Sequence, residues 1–206
     1  MFNVCPSCGE YSVEKEIDPS GPFAVCPHCH YAHPFVRQPL FVLTGASGAG
    51  KTTTGLALSP QLSEAVVLEG DTLWDPAFDT PKDNYRRYRE ICLRLAKNIG
   101  QSGRPVVLVG TAIPEQFEDL PERRYFSTIH YLALVCDHHI LAARLQRRPA
   151  WRAANSPEFI ERMLDFNSWL KENASSNIPP ISLYDTSNRS VDESVMHTAR
   201  WIRQYL

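Results

Sequence analysis

At 206 residues, with 43% apolar and 21% charged residues and a net charge of −2, the chain has the composition of a globular protein and the length of one domain with a small appendage. The near-neutral charge gives no global electrostatic reason to expect nucleic-acid binding. No apolar run approaches the roughly 18 residues of a membrane span, and no charged-then-apolar secretory pattern opens the chain, so a cytoplasmic location without structural disulfides is expected.

Residues 1–38 form a first unit. Cys5-Pro6-Ser7-Cys8 and Cys26-Pro27-His28-Cys29 give two C-x₂-C pairs at the spacing of a zinc site. Each pair can aim two thiolates at one point, so Cys5, Cys8, Cys26 and Cys29 together supply a closed tetrahedral shell, the mark of a structural metal and not a catalytic one. Disulfides and a redox C-x-x-C compete with this reading; the cytoplasmic expectation weighs against the first and the lack of a surrounding βαβ pattern against the second. His28, His30 and His33 are expected at the surface or behind the ligands. The repeated Cys-Pro-x-Cys, followed by Gly9 or His30, resembles the paired knuckles of a zinc ribbon. So short a segment has too little core to fold without a metal. It is expected to pack near the acceptor side of the main domain and to add stability. Lys15 and Arg37 are its only strong cations, which argues against an RNA grip.

Residues 39–206 alternate short apolar runs with helical patterns, predicting an α/β fold with a five-stranded parallel sheet and helices on both faces. Strands are expected at 40–43, 65–68, 106–109, 128–135 and 181–184. Helices are expected at 51–58, at 83–99 with Tyr88, Ile91, Cys92, Leu95 and Ile99 on one face, and at 138–146. Ser156 with Pro157 should cap a helix carrying Phe159, Met163, Phe166 and Leu170. Ser190-Val191-Asp192-Glu193 reads as a capping box opening a last helix that buries Val191, Val195, Ala199, Ile202 and Leu206.

The first strand runs into Gly45-Ala46-Ser47-Gly48-Ala49-Gly50-Lys51-Thr52-Thr53, which fills the G-x-x-x-x-G-K-[ST] phosphate-loop template. Glycines let backbone N–H groups turn inward around an anion, and the following helix points its positive end at the same phosphates. Lys51 would reach the β- and γ-phosphates and Thr52 would ligate Mg²⁺. The segment is thus expected to bind a nucleoside triphosphate. Asp71 lies at the carboxyl end of the second strand, on the same rim, where it can take a proton from an attacking hydroxyl or help hold Mg²⁺ through water. Asp75 and Asp79 are weaker candidates, and Trp74, Phe78 and Tyr85 could wall an acceptor pocket.

The phosphate loop together with Leu68-Glu69-Gly70-Asp71-Thr72-Leu73-Trp74 resembles the P-loop small-molecule and nucleoside monophosphate kinases, the gluconate- and shikimate-kinase type in particular. That resemblance implies ATP, Mg²⁺ and an acceptor hydroxyl contacted by Asp71. It also implies a lid bearing the R-x-x-x-R spacing that Arg144 and Arg148 match, with Arg144 along the adenine and Arg148 at the phosphates, and Arg147 and Arg152 nearby. Asp185-Thr186-Ser187 would then line the adenine. One departure is that the third strand ends in Gly110-Thr111, where many P-loop enzymes carry a Mg²⁺-organising aspartate. A motor ATPase needs that carboxylate; a small kinase tolerates its loss.

The expected function is therefore an ATP-dependent kinase acting on a hydroxyl of a small metabolite or nucleoside. A nucleoside monophosphate kinase using Arg86, Arg87 and Arg89 is the alternative. A nucleic-acid end kinase, or a nucleotide-gated module gripping RNA through the ribbon, is the third reading. The acceptor and the oligomeric state are left open.

Overall fold

The computed structural model describes residues 3–149 and 155–206. Its N-terminal part is a three-stranded antiparallel sheet, β1 (Glu16–Asp18), β2 (Phe23–Val25) and β3 (Ala32–Pro34), in that order. Two equivalent turns flank it. Gly9 N–H donates to Cys5 O at 2.9 Å and His30 N–H to Cys26 O at 3.0 Å, while Cys5 N–H and Cys26 N–H donate to Glu10 O and Tyr31 O. Gly9 and His30 share a left-handed conformation, at φ +78° and +58°, so His30 serves the turn that the Gly9 position serves in the other knuckle. The apolar core here is Ala24, Phe35 and Ile17 packed on Tyr125, a residue of the main domain. The segment borrows part of its core, as its size requires.

The main sheet has the order β5-β6-β4-β7-β8, all parallel. The strands are β4 (Leu40–Gly45), β5 (Val66–Glu69), β6 (Val106–Val109), β7 (Ile129–Val135) and β8 (Ile181–Asp185). All five expected strands are present. The helices are α1 (Lys51–Leu58), α2 (Arg86–Gly100), the single turn α3 (Glu115–Glu118), α4 (His138–Gln146), α5 (Pro157–Asn173) and α6 (Val191–Arg203). Leu40 and Val42 pack against Tyr88, Cys92, Leu93 and Ala96 of α2 and Leu170 of α5. Phe41 and Leu43, pointing the other way, meet Leu58 of α1 and Val195, Ala199 and Ile202 of α6. Both faces are covered, which explains why the central strands read as continuous apolar runs.

Ser156 caps α5 through Phe159 N–H at 3.2 Å, and the capping box of α6 is complete. Two helix faces differ from expectation. Val191 at the start of α6 and Leu206, which lies beyond its end, are exposed, and Trp201 joins the buried side. In α2 the buried stripe is Tyr88, Arg89, Cys92, Leu93, Ala96, Lys97 and Gly100, with Ile91, Leu95 and Ile99 at its flanks. Apolar periodicity assigns cations to solvent, but Arg89 and Lys97 each find buried partners, and that rotates the helix. The expectation that the ribbon packs by the acceptor is also corrected. It docks at the amino-terminal edge of the sheet: Gln38 Nε2 donates to Gly103 O and Gln38 O accepts from Ser127 N–H.

Candidate active site

At the carboxyl ends of the strands lies a cleft of about 750 Å³. Its floor is the 47–53 loop and first turn, entered from β4. Gly45 sits at φ +139°, and a Cβ there would lie 2.3 Å from Leu134 O, so only glycine lets β4 turn this close to β7. Gly50 is the N-cap of α1 with no side-chain cap, and the first turn holds no acidic residue. The helix N–H groups and dipole therefore face the cleft uncompensated, which suits phosphate. Lys51 Nζ donates to Gly45 O at 2.9 Å and Ala46 O at 3.1 Å. Ser47 N–H meets the Met163 thioether at 3.3 Å, a weak acceptor that a phosphate oxygen would outcompete.

Burial lowers the Lys51 pKa to about 8, against the opposing pull of Asp71. In the nucleotide-free protein the ammonium is therefore lost as pH rises through 8. ATP needs it charged, so affinity should fall roughly tenfold from pH 7 to pH 9, with proton uptake on binding at the higher pH. Calorimetry in buffers of different ionisation enthalpy measures both.

Asp71 sits in the short turn Gly70–Leu73 after β5 and lines the cleft. Gly70 lies in close approach to its neighbours: a Cβ would stand 2.8 Å from the Tyr88 hydroxyl and 3.1 Å from Val109 O, so a side chain there would press on the Tyr88 ring. Two residues back, at the end of β5, is the half-buried Glu69, near enough to Thr52 to feel its hydroxyl. Burial raises its pKa and the nearby Asp71 charge adds to this, while Thr52 opposes it. Sequence reasoning passed over Glu69, although it is two positions from Asp71 at the end of the same strand.

The four expected catalytic side chains, Lys51, Asp71, Arg144 and Arg148, all line the one cleft. Arg148 Nη1 donates to Ser47 Oγ at 2.8 Å, and Arg144 bonds Thr186 Oγ1 at 3.2 Å and Thr186 O at 3.0 Å. Arg147 is exposed, and Arg152 lies outside the described residues. Asp185 does not line the cleft. Its carboxylate accepts from Ser187 N–H and Oγ, and the cleft residue of that loop is Thr186. Asp75 caps a turn through Ala77 N–H at 2.8 Å, whereas Asp79 lines the cleft.

Beyond Asp71 the walls are Trp74, Tyr85, Ile113 and Phe166, with Gln116 and Arg89 among them. Arg86 and Arg87 are exposed, Arg86 paired with Glu90 at 3.1 Å. Arg89 is only 7% exposed. It donates to Thr111 O at 2.7 Å and lies against the rings of Tyr88, Phe117 and Tyr85 at 5.0, 5.6 and 5.9 Å. Its buried Nε–H has no partner among the described residues, so the site holds a spare donor and a positive charge. Its spacing of four from Tyr85 was the available signal.

In the ribbon, Cys5 Sγ and Cys29 Sγ are 3.7 Å apart, Cys8 Sγ and Cys26 Sγ 3.8 Å, and all four lie within 4.8 Å of one another. Disulfides are far shorter, about 2.05 Å, and all four thiols are free. A zinc–sulfur bond of about 2.3 Å gives a tetrahedron edge of about 3.8 Å, so the donor set fits Zn²⁺.

A family model described as an AAA domain matches residues 40–166, more than half of the chain. The chain belongs to that family. A shikimate kinase of Bacillus cytotoxicus is 26% identical over 164 residues, spanning 73% of this chain and 90% of the relative. One of Bacillus anthracis is 28% identical over 158 residues, with the same two shares. A sugar kinase from Janibacter sp. HTCC2649 superposes at TM-score 0.58 with 14% identity, over 81% of this chain and 95% of its own. A gluconokinase from Sinorhizobium meliloti 1021 does so at 0.54 and 16%, over 82% and 98%. The tunicamycin resistance protein of Deinococcus radiodurans gives 0.58 and 17%, over 81% and 96%. With these relatives and this fold the protein is a P-loop kinase.

Proposed function

We propose that this kinase moves the γ-phosphoryl group of ATP to a hydroxyl of a small-molecule acceptor, with Asp71 as the base. The observation that carries the reading is one cleft holding the phosphate loop, Asp71 and, beyond Asp71, a walled space with a buried arginine. Asp71 takes the hydroxyl proton, the acceptor oxygen bonds to the γ-phosphorus, and the bond to the β–γ bridging oxygen breaks to release ADP. Lys51 and Arg148 neutralise charge on the transferring group, and Arg144 with Thr186 borders the adenine. Thr52 would hold Mg²⁺, which supplies charge neutralisation at the β- and γ-oxygens. Glu69, at the end of β5 two residues before Asp71 and near Thr52, would take the organising role that Gly110-Thr111 leaves unfilled. Glu69→Gln should therefore raise the Mg²⁺ concentration for half-maximal rate by about tenfold, within the range for loss of a supporting ligand partner; a magnesium titration reads it.

Of the three arginines that a nucleoside monophosphate acceptor would recruit, only Arg89 reaches the cleft. A hydroxyl acceptor bearing one anionic group meets that supply better. We also propose that Cys5, Cys8, Cys26 and Cys29 hold a structural Zn²⁺. The deciding functional test is ADP release from ATP with and without sugar acids, cyclic hydroxy acids, nucleosides and nucleoside monophosphates. Release that depends on a hydroxyl acceptor supports the reading. Equal turnover without any acceptor, or turnover only with monophosphates, overturns it.

A further inference from the structure

Besides its chain connection to β4 and the Gln38 bonds to Gly103 and Ser127, the ribbon is fastened to α2 and to residues 121–125 of the kinase domain. The Tyr125 hydroxyl accepts from Lys15 N–H at 3.0 Å and donates to Val13 O at 2.7 Å, and Phe35 meets its ring edge-on at 5.9 Å. Lys97, in the second half of α2 and 1% exposed at the side chain, bonds both Asn3 Oδ1 and the buried carboxylate of Glu122. The Gln101 side chain, just past α2, accepts from Val36 N–H at 2.9 Å and donates to Val36 O at 3.1 Å. A buried ion pair of this kind does little for net stability but fixes geometry.

The other end of α2 opens the acceptor side of the cleft. Tyr88 and Arg89 line it, eight residues or about 12 Å along the axis from Lys97 in the case of Arg89. The helix start is held by local bonds, Tyr85 N–H to Thr80 O at 3.1 Å and Arg86 N–H to Asp83 Oδ1 at 3.4 Å, around a strained turn. Asn84 and Tyr85 are successive left-handed non-glycine residues, at φ +56° and +59°, and Tyr85 as N-cap offers no capping side chain. Two such residues store strain that the surrounding structure must hold. The nucleotide floor, by contrast, lies at the far, carboxyl end of β4 and on α1; the ribbon meets β4 only by the chain connection at its amino end and reaches neither through these side-chain bonds.

We propose that the ribbon is a positioning device for the acceptor subsite: with its metal bound it clamps the carboxyl-terminal half of α2, and so holds Tyr88 and Arg89 in register with Asp71. Lys97 and Tyr125 are the positioning residues. Loss of the metal releases the acceptor half of the cleft and spares the phosphate loop. This rests on reading that half as the acceptor side.

The test uses the full chain, with bound zinc measured before and after stripping by a strong chelator, and hydrogen exchange followed by mass spectrometry. Stripping should accelerate exchange in peptides covering 84–93 by about tenfold, leaving those covering 45–54 and the affinity for a non-hydrolysable ATP analogue unchanged. Tyr125→Phe, which keeps the ring and removes both hydroxyl bonds, should retain zinc and show the same pattern at smaller amplitude. Acceleration confined to 3–38, equal loosening of 45–54 and 84–93, or purified protein without zinc would each overturn the proposal. Neither readout needs an acceptor, so failure of the phosphotransfer reading with this exchange pattern intact would remove only that reading.

Discussion

Asp71→Asn should abolish phosphoryl transfer while ATP still binds. The substitution keeps the shape and leaves the turn's backbone bond from Trp74 N–H to Asp71 O in place, but an amide cannot accept the proton. Loss of a positioned base costs about 10²–10⁴ in rate, or roughly 3–5 kcal/mol in the barrier. Because Asp71 raises the Lys51 pKa through space, its neutralisation should shift the pH dependence of nucleotide binding slightly lower without removing it. Single-turnover kinetics under saturating ATP, beside a binding measurement with a non-hydrolysable analogue, separates the two effects. Transfer at the wild-type rate would remove Asp71 from the chemistry and leave the cleft to an acceptor that needs no base.

Gly45→Ala should cost the fold about 3 kcal/mol, combining the left-handed penalty of a β-carbon with the overpacking it forces. The added carbon would meet Leu134 O at 2.3 Å, and this is backbone that cannot step aside without parting β4 from β7, whose pairing runs through Gly45 opposite Leu134. Gly45 O also accepts from Lys51 Nζ and from Thr111 Oγ1 at 3.1 Å. The same shift therefore misplaces the ammonium and the end of β6. A chain of this size should melt about 6–12 °C lower, and nucleotide affinity should fall with it. Calorimetric melting with and without ATP reads both; an unchanged melting temperature would mean the loop tolerates the carbon.

Much of the nucleotide half of the site was legible in the sequence, because phosphate is gripped by backbone in a contiguous stretch and the glycine spacing of 45–52 records that backbone. The helix caps of α5 and α6 and the all-apolar strands were legible for the same reason, each being a local requirement written at fixed intervals. The part of the cleft proposed for the acceptor was not. Arg89 and Lys97 look like solvent-facing cations in any periodic reading of α2, and only the placement of Thr111, three aromatic rings, Glu122 and Asn3 around them makes burial affordable. The Asp185-Thr186-Ser187 loop was expected to border the adenine through its backbone; in the structure Thr186 lines the cleft while the Asp185 carboxylate closes an Asx turn with Ser187.

By itself, then, the sequence determined a P-loop nucleotide site on a parallel sheet and a four-cysteine ribbon ahead of it, since both are set by residues close together in the chain. Only the tertiary structure decided that α2 brings Tyr88 and Arg89 to the cleft wall, that Glu69 stands near Thr52, and that the N-terminal segment grips the far end of the same helix. Those are contacts between residues as many as 112 positions apart, and no local pattern encodes a partner at that distance.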